Sequence, residues 1–268
     1  MHNKIKISRL LALCLGLVTF MQANAQAKET TSSFYIRLGI GAEWSRDTSF
    51  SDRNCNASDP AALFGCANGP DGKPIGAYGD FGNSVAFDVG LGSHINPWLR
   101  TEIAIHYVPD FAFSGQANFS AVTLNQEPVS ADANSLMATL NGYVDLAVLF
   151  DFNSDALHPF LGAGIGYARN RISAMTYQFP SLGAGDVTIT PSGTEANFAW
   201  SLSAGVEYQI SRDKTLELLY RYSDMGRVST DVGNIIVVRD GVERLIKIDS
   251  TEADLTSDAV MLGFRYRF

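Results

Sequence analysis

The chain ends in MLGFRYRF, Met261 to Phe268, with an apolar or aromatic residue at every second position up to the last carboxylate. In an extended strand Val260, Leu262, Phe264, Tyr266 and Phe268 share one face, and Met261, Gly263, Arg265 and Arg267 share the other. One face is apolar and the other is small or charged. Helical spacing would scatter these residues around a cylinder, whereas a period of two sorts them.

The same period recurs upstream. In FYIRLGIGAEW, Phe34, Ile36, Leu38, Ile40, Ala42 and Trp44 oppose Tyr35, Arg37, Gly39, Gly41 and Glu43. In FAWSLSAGVEYQI, Phe198 to Ile210, apolar residues oppose Ala199, Ser201, Ser203, Gly205, Glu207 and Gln209; in LELLYRY, Leu216, Leu218, Tyr220 and Tyr222 oppose Glu217, Leu219 and Arg221. Ser84 to Ile95, Trp98 to Tyr107, Leu136 to Phe150 and Pro159 to Arg169 bring the count to eight predicted strands. Most have the 9–11 residues that cross a bilayer at a tilt. Their connections alternate in length. Asn96-Pro97, Asp151 to His158 and Ser211 to Lys214 are short, whereas Arg46 to Asn83, Val108 to Asn134, Asn170 to Ala196 and Asp224 to Thr256 are long. That alternation belongs to an all-β, eight-stranded, antiparallel up-and-down transmembrane barrel with four long extracellular loops. A soluble barrel also alternates, but with charges outside. Here the non-apolar face is rich in glycine and in opposite charges, as a narrow lumen requires, and aromatics flank the apolar stretches. Without water in the bilayer the sheet has to close, so the last strand is expected to pair with the first.

The other end of the chain begins with Lys4, Lys6 and Arg9, an apolar run from Leu10 to Met21, and ANA at Ala23 to Ala25. A basic start, a short apolar stretch and a small-residue cleavage motif predict a signal peptide over 1–25, leaving 26–268 as one barrel domain. Its removal takes Cys14 away and shifts the formal net charge from −8 to −11, because Lys4, Lys6 and Arg9 leave and no acid does. Cys55 and Cys66 remain, an even pair in an exported chain, and a disulfide is expected between them. An acidic exported chain is a poor partner for nucleic acid.

The stretches SLMATLNGYVDL (Ser135 to Leu146), PFLGAGIGYARN (Pro159 to Asn170), WSLSAGVEYQIS (Trp200 to Ser211), LLYRYSDMG (Leu218 to Gly226) and LGFRYRF resemble the small outer-membrane β-barrel proteins of Gram-negative bacteria grouped with opacity proteins and related surface antigens. The resemblance covers most of the expected barrel and little of the long loops. It implies an outer-membrane location, lipids as surroundings, and a non-enzymatic surface protein, whether surface antigen, adhesin-like or envelope-stabilising, that acts through its loops toward an extracellular ligand it does not name. The end of the chain, with Phe264, Tyr266 and Phe268 outward, resembles the C-terminal signal read by the outer-membrane assembly machinery.

Inward positions carry Arg37, Glu43, Asp88, Arg100, Glu102, Asp145, Glu207, Glu217, Arg221, Arg265 and Arg267. Eight strands leave an interior just wide enough for side chains, so these charges are expected to neutralise one another and plug the lumen. A small porin is the alternative function. His94 and His106 also face inward, near Asp88 and Glu102, a set that could hold a metal but reads more simply as hydrogen-bonded lumen residues. An outer-membrane lipid-modifying enzyme would need serine and histidine paired on the apolar face. No predicted strand offers that pair, so neither catalytic residue nor cofactor is expected. Loop one, clustered in Gly, Pro, Asn, Asp and Ser, reads as turns, with the cysteines clamping its tip. Its PDGK lacks the spaced carboxylates of a calcium loop. Asp240-Gly241 between two short apolar runs predicts a hairpin projecting above the membrane. Loop two carries Asp110, Glu127 and Asp132 without Lys or Arg, and acids outnumber bases between Asp224 and Thr256, so the rim is expected to favour basic or neutral partners.

Overall fold

The computed structural model describes residues 34–119, 127–151, 157–183 and 185–268. The expected signal peptide, with Cys14, lies outside the described residues. In chain order the elements are β1 (Phe34–Ser45), β2 (Thr48–Asp52), β3 (Ala77–Asp80), β4 (Asn83–Asn96), β5 (Leu99–Ala117), β6 (Pro128–Asp145), the one-turn helix α1 (Leu146–Leu149), β7 (Leu157–Ile172), β8 (Thr176–Gln178), β9 (Val187–Ile189), β10 (Gly193–Gln209), β11 (Lys214–Ser229), β12 (Gly233–Arg239), β13 (Val242–Ile248) and β14 (Thr251–Arg267).

Eight of these strands close a ring. Antiparallel pairing runs β1, β4, β5, β6, β7, β10, β11, β14 and back to β1. The closing pair is in register from Tyr35↔Arg267 to Ser45↔Ser257, and the Phe268 amide then donates to the Phe34 carbonyl at 3.1 Å. With both edges consumed, the ring leaves no open strand edge to the bilayer, the condition lipid imposes. The outward row of β14, Val260, Leu262, Phe264 and Tyr266, is 40–54% exposed, whereas Ala259, Met261 and Arg265 between them are buried. The outward rows of the other strands repeat this, with Leu38, Val89, Ile103, Leu140, Ile165, Leu202 and Leu218 turned to the surroundings.

The ring strands outrun the membrane. β5 and β6 stay paired up to Gln116↔Pro128, past an irregularity between Val108 and Phe111 where Pro109 cannot donate to the ladder. The long loops add to this wall instead of leaving it. β3 pairs with the end of β5, and β2 joins β3 to β14. On the other side β8 joins β6, β9 joins β8, β12 joins β9, and β13 closes a hairpin on β12. The turn of that hairpin, Asp240-Gly241, has φ of 51° and 75°, the left-handed pair of a type I′ turn, which suits Asp followed by Gly.

Two sequence expectations change here. The strand predicted over Leu136–Phe150 ends at Asp145, because the Asp145 carboxylate accepts the Val148 amide at 3.1 Å and turns the chain into α1. Loop one is not merely turns. Phe50, Phe64 and Phe81 are buried, and they belong to a cluster of buried apolar residues that runs from the extension above the barrel down to Tyr143, Phe160 and Met261 in the lumen.

Candidate functional site: a charged lumen under a loop-built cap

The lumen fills from the periplasmic end upward with side chains delivered by the inward phase of each strand. Near the bottom Arg100 of β5 and Arg265 of β14 converge on two acids. Arg100 reaches Glu207 at 2.7 Å and Glu217 at 3.5 Å, while Arg265 reaches Glu217 at 3.0 Å and also pairs with Glu207. The Arg100 guanidinium lies 4.0 Å from the centre of the Tyr143 ring and donates to the Tyr35 hydroxyl at 3.1 Å. In the middle Arg37 spans Asp88 at 3.1 Å and Glu102 at 2.8 Å, and Arg221 grips the same Asp88 at 2.8 Å. Above them His106 stands between Asp88 at 2.6 Å and Glu43 at 2.5 Å, and the Ser257 hydroxyl donates to Glu43 at 2.5 Å. Arg37 and Asp88 have side chains with no exposure, so nothing but protein screens these charges. A buried charge without its partner is strongly destabilising, which makes the set mutually dependent.

Glycines create the room for it. A Cβ at Gly92 would lie 2.3 Å from the Tyr35 ring and hydroxyl, and one at Gly90 would lie 2.5 Å from Glu102 Cδ. On a face that must hold arginines and tyrosines inside eight strands, the neighbouring positions therefore carry no side chain.

Of the eleven inward charges read from the sequence, nine meet in this network. Asp145 and Arg267 do not. Asp145 caps α1 and pairs with His158 at 2.9 Å, and Arg267 donates to the Arg212 carbonyl in the turn between β10 and β11. Both have the inward phase, yet they sit at the strand ends, where a cavity of about 300 Å³ opens at the periplasmic mouth. His94 lies at that mouth with its ring 5.6 Å from Tyr35, away from His106. Among the described residues no group of three or more His, Cys, Asp and Glu is arranged to hold a metal. Tyr35, inward by the alternation, packs with Tyr143 and Phe160 around Arg100; the alternation did not single out these three as partners of the charges, although their inward phase was the available signal.

The cap has its own aromatic core. Phe113 packs edge-on to Phe50 at 5.0 Å and to Phe81 at 5.3 Å, and Phe64 stacks on Phe119 at 5.5 Å beside Tyr177. Burial pushes the Tyr177 phenol up, keeping it neutral. Loop one is held over this core by three devices. The Asp52 carboxylate accepts the amides of Leu63, Phe64 and Gly65 at 2.8–2.9 Å. Arg53 bonds Glu252 at 2.7 Å, which raises its pKa, and also Glu195 at 2.7 Å, so it ties the loop to β14 and β10. A disulfide joins Cys55 and Cys66 with Cα atoms 4.9 Å apart. Asp59, Asp71, Asp231, Asp240 and Glu243 are exposed on the cap, whereas Glu127 is buried and accepts the Phe119 amide at 3.0 Å.

A closed eight-stranded ring with a lipid-facing apolar belt and a packed lumen defines the class as a small transmembrane β-barrel. The chain belongs to the family described as outer membrane protein beta-barrel domain, whose profile matches residues 11–268, and it resides in the outer membrane. It is 27% identical over 265 residues to outer membrane protein PagN of Salmonella typhimurium, covering 96% of this chain and 98% of that one. It is 28% identical over 153 residues to the putative adhesin RC1281 of Rickettsia conorii, covering 55% of this chain and 56% of the relative. The solved structure of outer membrane protein OprG from Pseudomonas aeruginosa covers 89% of this chain and 98% of its own, with 11% identity and a TM-score of 0.48.

Proposed function

We propose that this outer-membrane barrel is an adhesin-like surface protein that attaches through its cap, carries no catalytic site and conducts nothing through its lumen. The observation that carries the reading is the cap itself. The described parts of the four long loops are built into a wall with an aromatic core, a rigid platform of the kind that positions binding loops. The lumen beneath holds the buried ion pairs, and the cap aromatics lie over it. The likeness to a protein named as a putative adhesin supports the same reading. Exposed acids on the cap favour a basic or neutral extracellular ligand, with attraction that weakens as salt rises.

The test replaces the tips of loop one and of the β12–β13 hairpin with short Gly-Ser segments and measures attachment of expressing cells to host-type surfaces at two salt concentrations. Attachment should fall with either replacement and with salt; attachment unchanged by both replacements defeats the proposal. Purified protein in a planar bilayer should give background current, and steady uniform conductance would instead establish the small porin.

Residues 1–25 act as the export signal in this reading, outer-membrane lipids surround the belt, and the assembly machinery recognises Phe264, Tyr266 and Phe268. Deleting Phe268 should leave unfolded protein in the periplasm, read as loss of the heat-modifiable band from the outer-membrane fraction. Wild-type levels there would dismiss the assembly role.

A further inference from the structure

The outward row of β7 reads Leu161, Ala163, Ile165, Tyr167, Arg169, Arg171 from the periplasmic side upward. It changes from apolar to cationic in one step, directly above Tyr167, which is 69% exposed. The flanking strands fix the height. Tyr167 is level with Phe198 of β10, Arg169 with Leu136 of β6 and Ala196, and Arg171 with Asn134 and Thr194. The arginines therefore stand where the lipid-facing belt gives way to the outer surface. Elsewhere around the ring Arg46 is engaged by Asp258 at 2.8 Å and Arg227 by Glu252 at 2.9 Å. Among the described residues Arg169 and Arg171 make neither an ion pair nor a side-chain hydrogen bond. Two like charges two positions apart on one face, about 7 Å between Cα atoms, repel each other unless an anion lies between them.

We propose that Arg169 and Arg171 bind the phosphate of an outer-leaflet lipid headgroup, whose acyl chain lies along Tyr167 and Ile165; this rests on the barrel standing in the outer membrane with its cap outward. A guanidinium presents a planar fork that matches phosphate oxygens in pairs, and β7 is paired on both sides, so both side chains start from fixed, adjacent backbone positions. Asn134 and Thr194 flank Arg171 with neutral donors. Snorkelling lets each arginine keep its head in water above the apolar belt, and the mutual repulsion of two heads on one face is relieved by a shared anion. A dissolved polyanion is disfavoured by the net charge of the mature chain, −11 without Lys4, Lys6 and Arg9. A lipid is already confined to the bilayer and needs only the local phosphate contact.

The test uses the full mature chain refolded into phosphatidylcholine nanodiscs, titrated with a fluorescent bisphosphorylated glycolipid or its dephosphorylated counterpart. A heat-modifiable band for every variant checks the barrel reading separately. Wild type should prefer the phosphorylated lipid about thirtyfold, from about fivefold for each arginine near a membrane surface. R169A/R171A should lose that preference, R169K/R171K should keep part of it, and R212A at the opposite end should leave it unchanged. Equal binding of both lipids by wild type, or an undiminished preference in R169A/R171A, overturns the proposal. So does displacement of the lipid by equimolar inositol hexakisphosphate, which would make the pair a site for dissolved polyanions.

Discussion

Asp88 shows what one residue holds together. Its two carboxylate oxygens serve Arg37, Arg221 and His106 at once, from three different strands, with no exposure to water. Replacing Asp88 with Ala leaves these donors facing a cavity in a dry lumen, and we expect a loss of about 3–5 kcal/mol. Arg267→Ala, at the half-exposed periplasmic turn, should cost no more than about 1 kcal/mol. Urea unfolding of the two refolded variants in detergent checks this, and equal midpoint shifts would show that the lumen network contributes little. Which residues face inward was legible from the period of two. Which acid meets which base was not, because Arg37 and Glu102 are 65 positions apart and Arg221 and Asp88 are 133 apart. Those meetings depend on the register between strands. Asp145 and Arg267 have the right phase, but their height at the strand ends is set by the turns, which alternation does not report.

At the scale of elements, the eight ring strands were readable because each meets lipid on one face and the lumen on the other, an environment that imposes strict alternation. The cap strands face a small core on one side and water on the other over as few as three residues, as in β8 and β9, too short for a period to register. Phe50, Phe64 and Phe81 stand singly among turn-forming residues, so their joint burial has no local signature. The division between ring and cap leads to a test of the disulfide. Cys55 and Cys66 enclose a short loop that no ring strand depends on, and a cross-link of that size stabilises by about 3 kcal/mol through the unfolded state. The C55S/C66S variant should insert and show the heat-modifiable shift of the wild type, while its first loop is cut faster by added protease on intact cells. Failed insertion of that variant would mean that cap and ring fold as one unit.

The whole molecule stacks two interiors of opposite character on one continuous wall. The membrane-embedded part holds the paired charges, with Tyr35, Tyr143 and Phe160 packed around Arg100, and the projecting part is apolar and rich in aromatic rings, so one sequence solves two burial problems at different heights. Attachment and anchoring are then divided by position, with the cap turned to the outside and the arginine pair of β7 at the lipid boundary. The stitching of loop one has a consequence for immune recognition. Arg53 touches Glu195 and Glu252, positions 142 and 199 residues away, so neighbouring points on the outer surface come from remote parts of the chain. An antibody raised by the folded protein meets a discontinuous epitope, and a synthetic peptide copied from loop one would not reproduce it. Tolerance of change is correspondingly unequal: Phe64, inside the cap, cannot change without disturbing the epitope around it, and even at the exposed tip Asp71 accepts the Asn118 side-chain amide at 2.9 Å while Gly72 holds a φ of 79° that suits glycine.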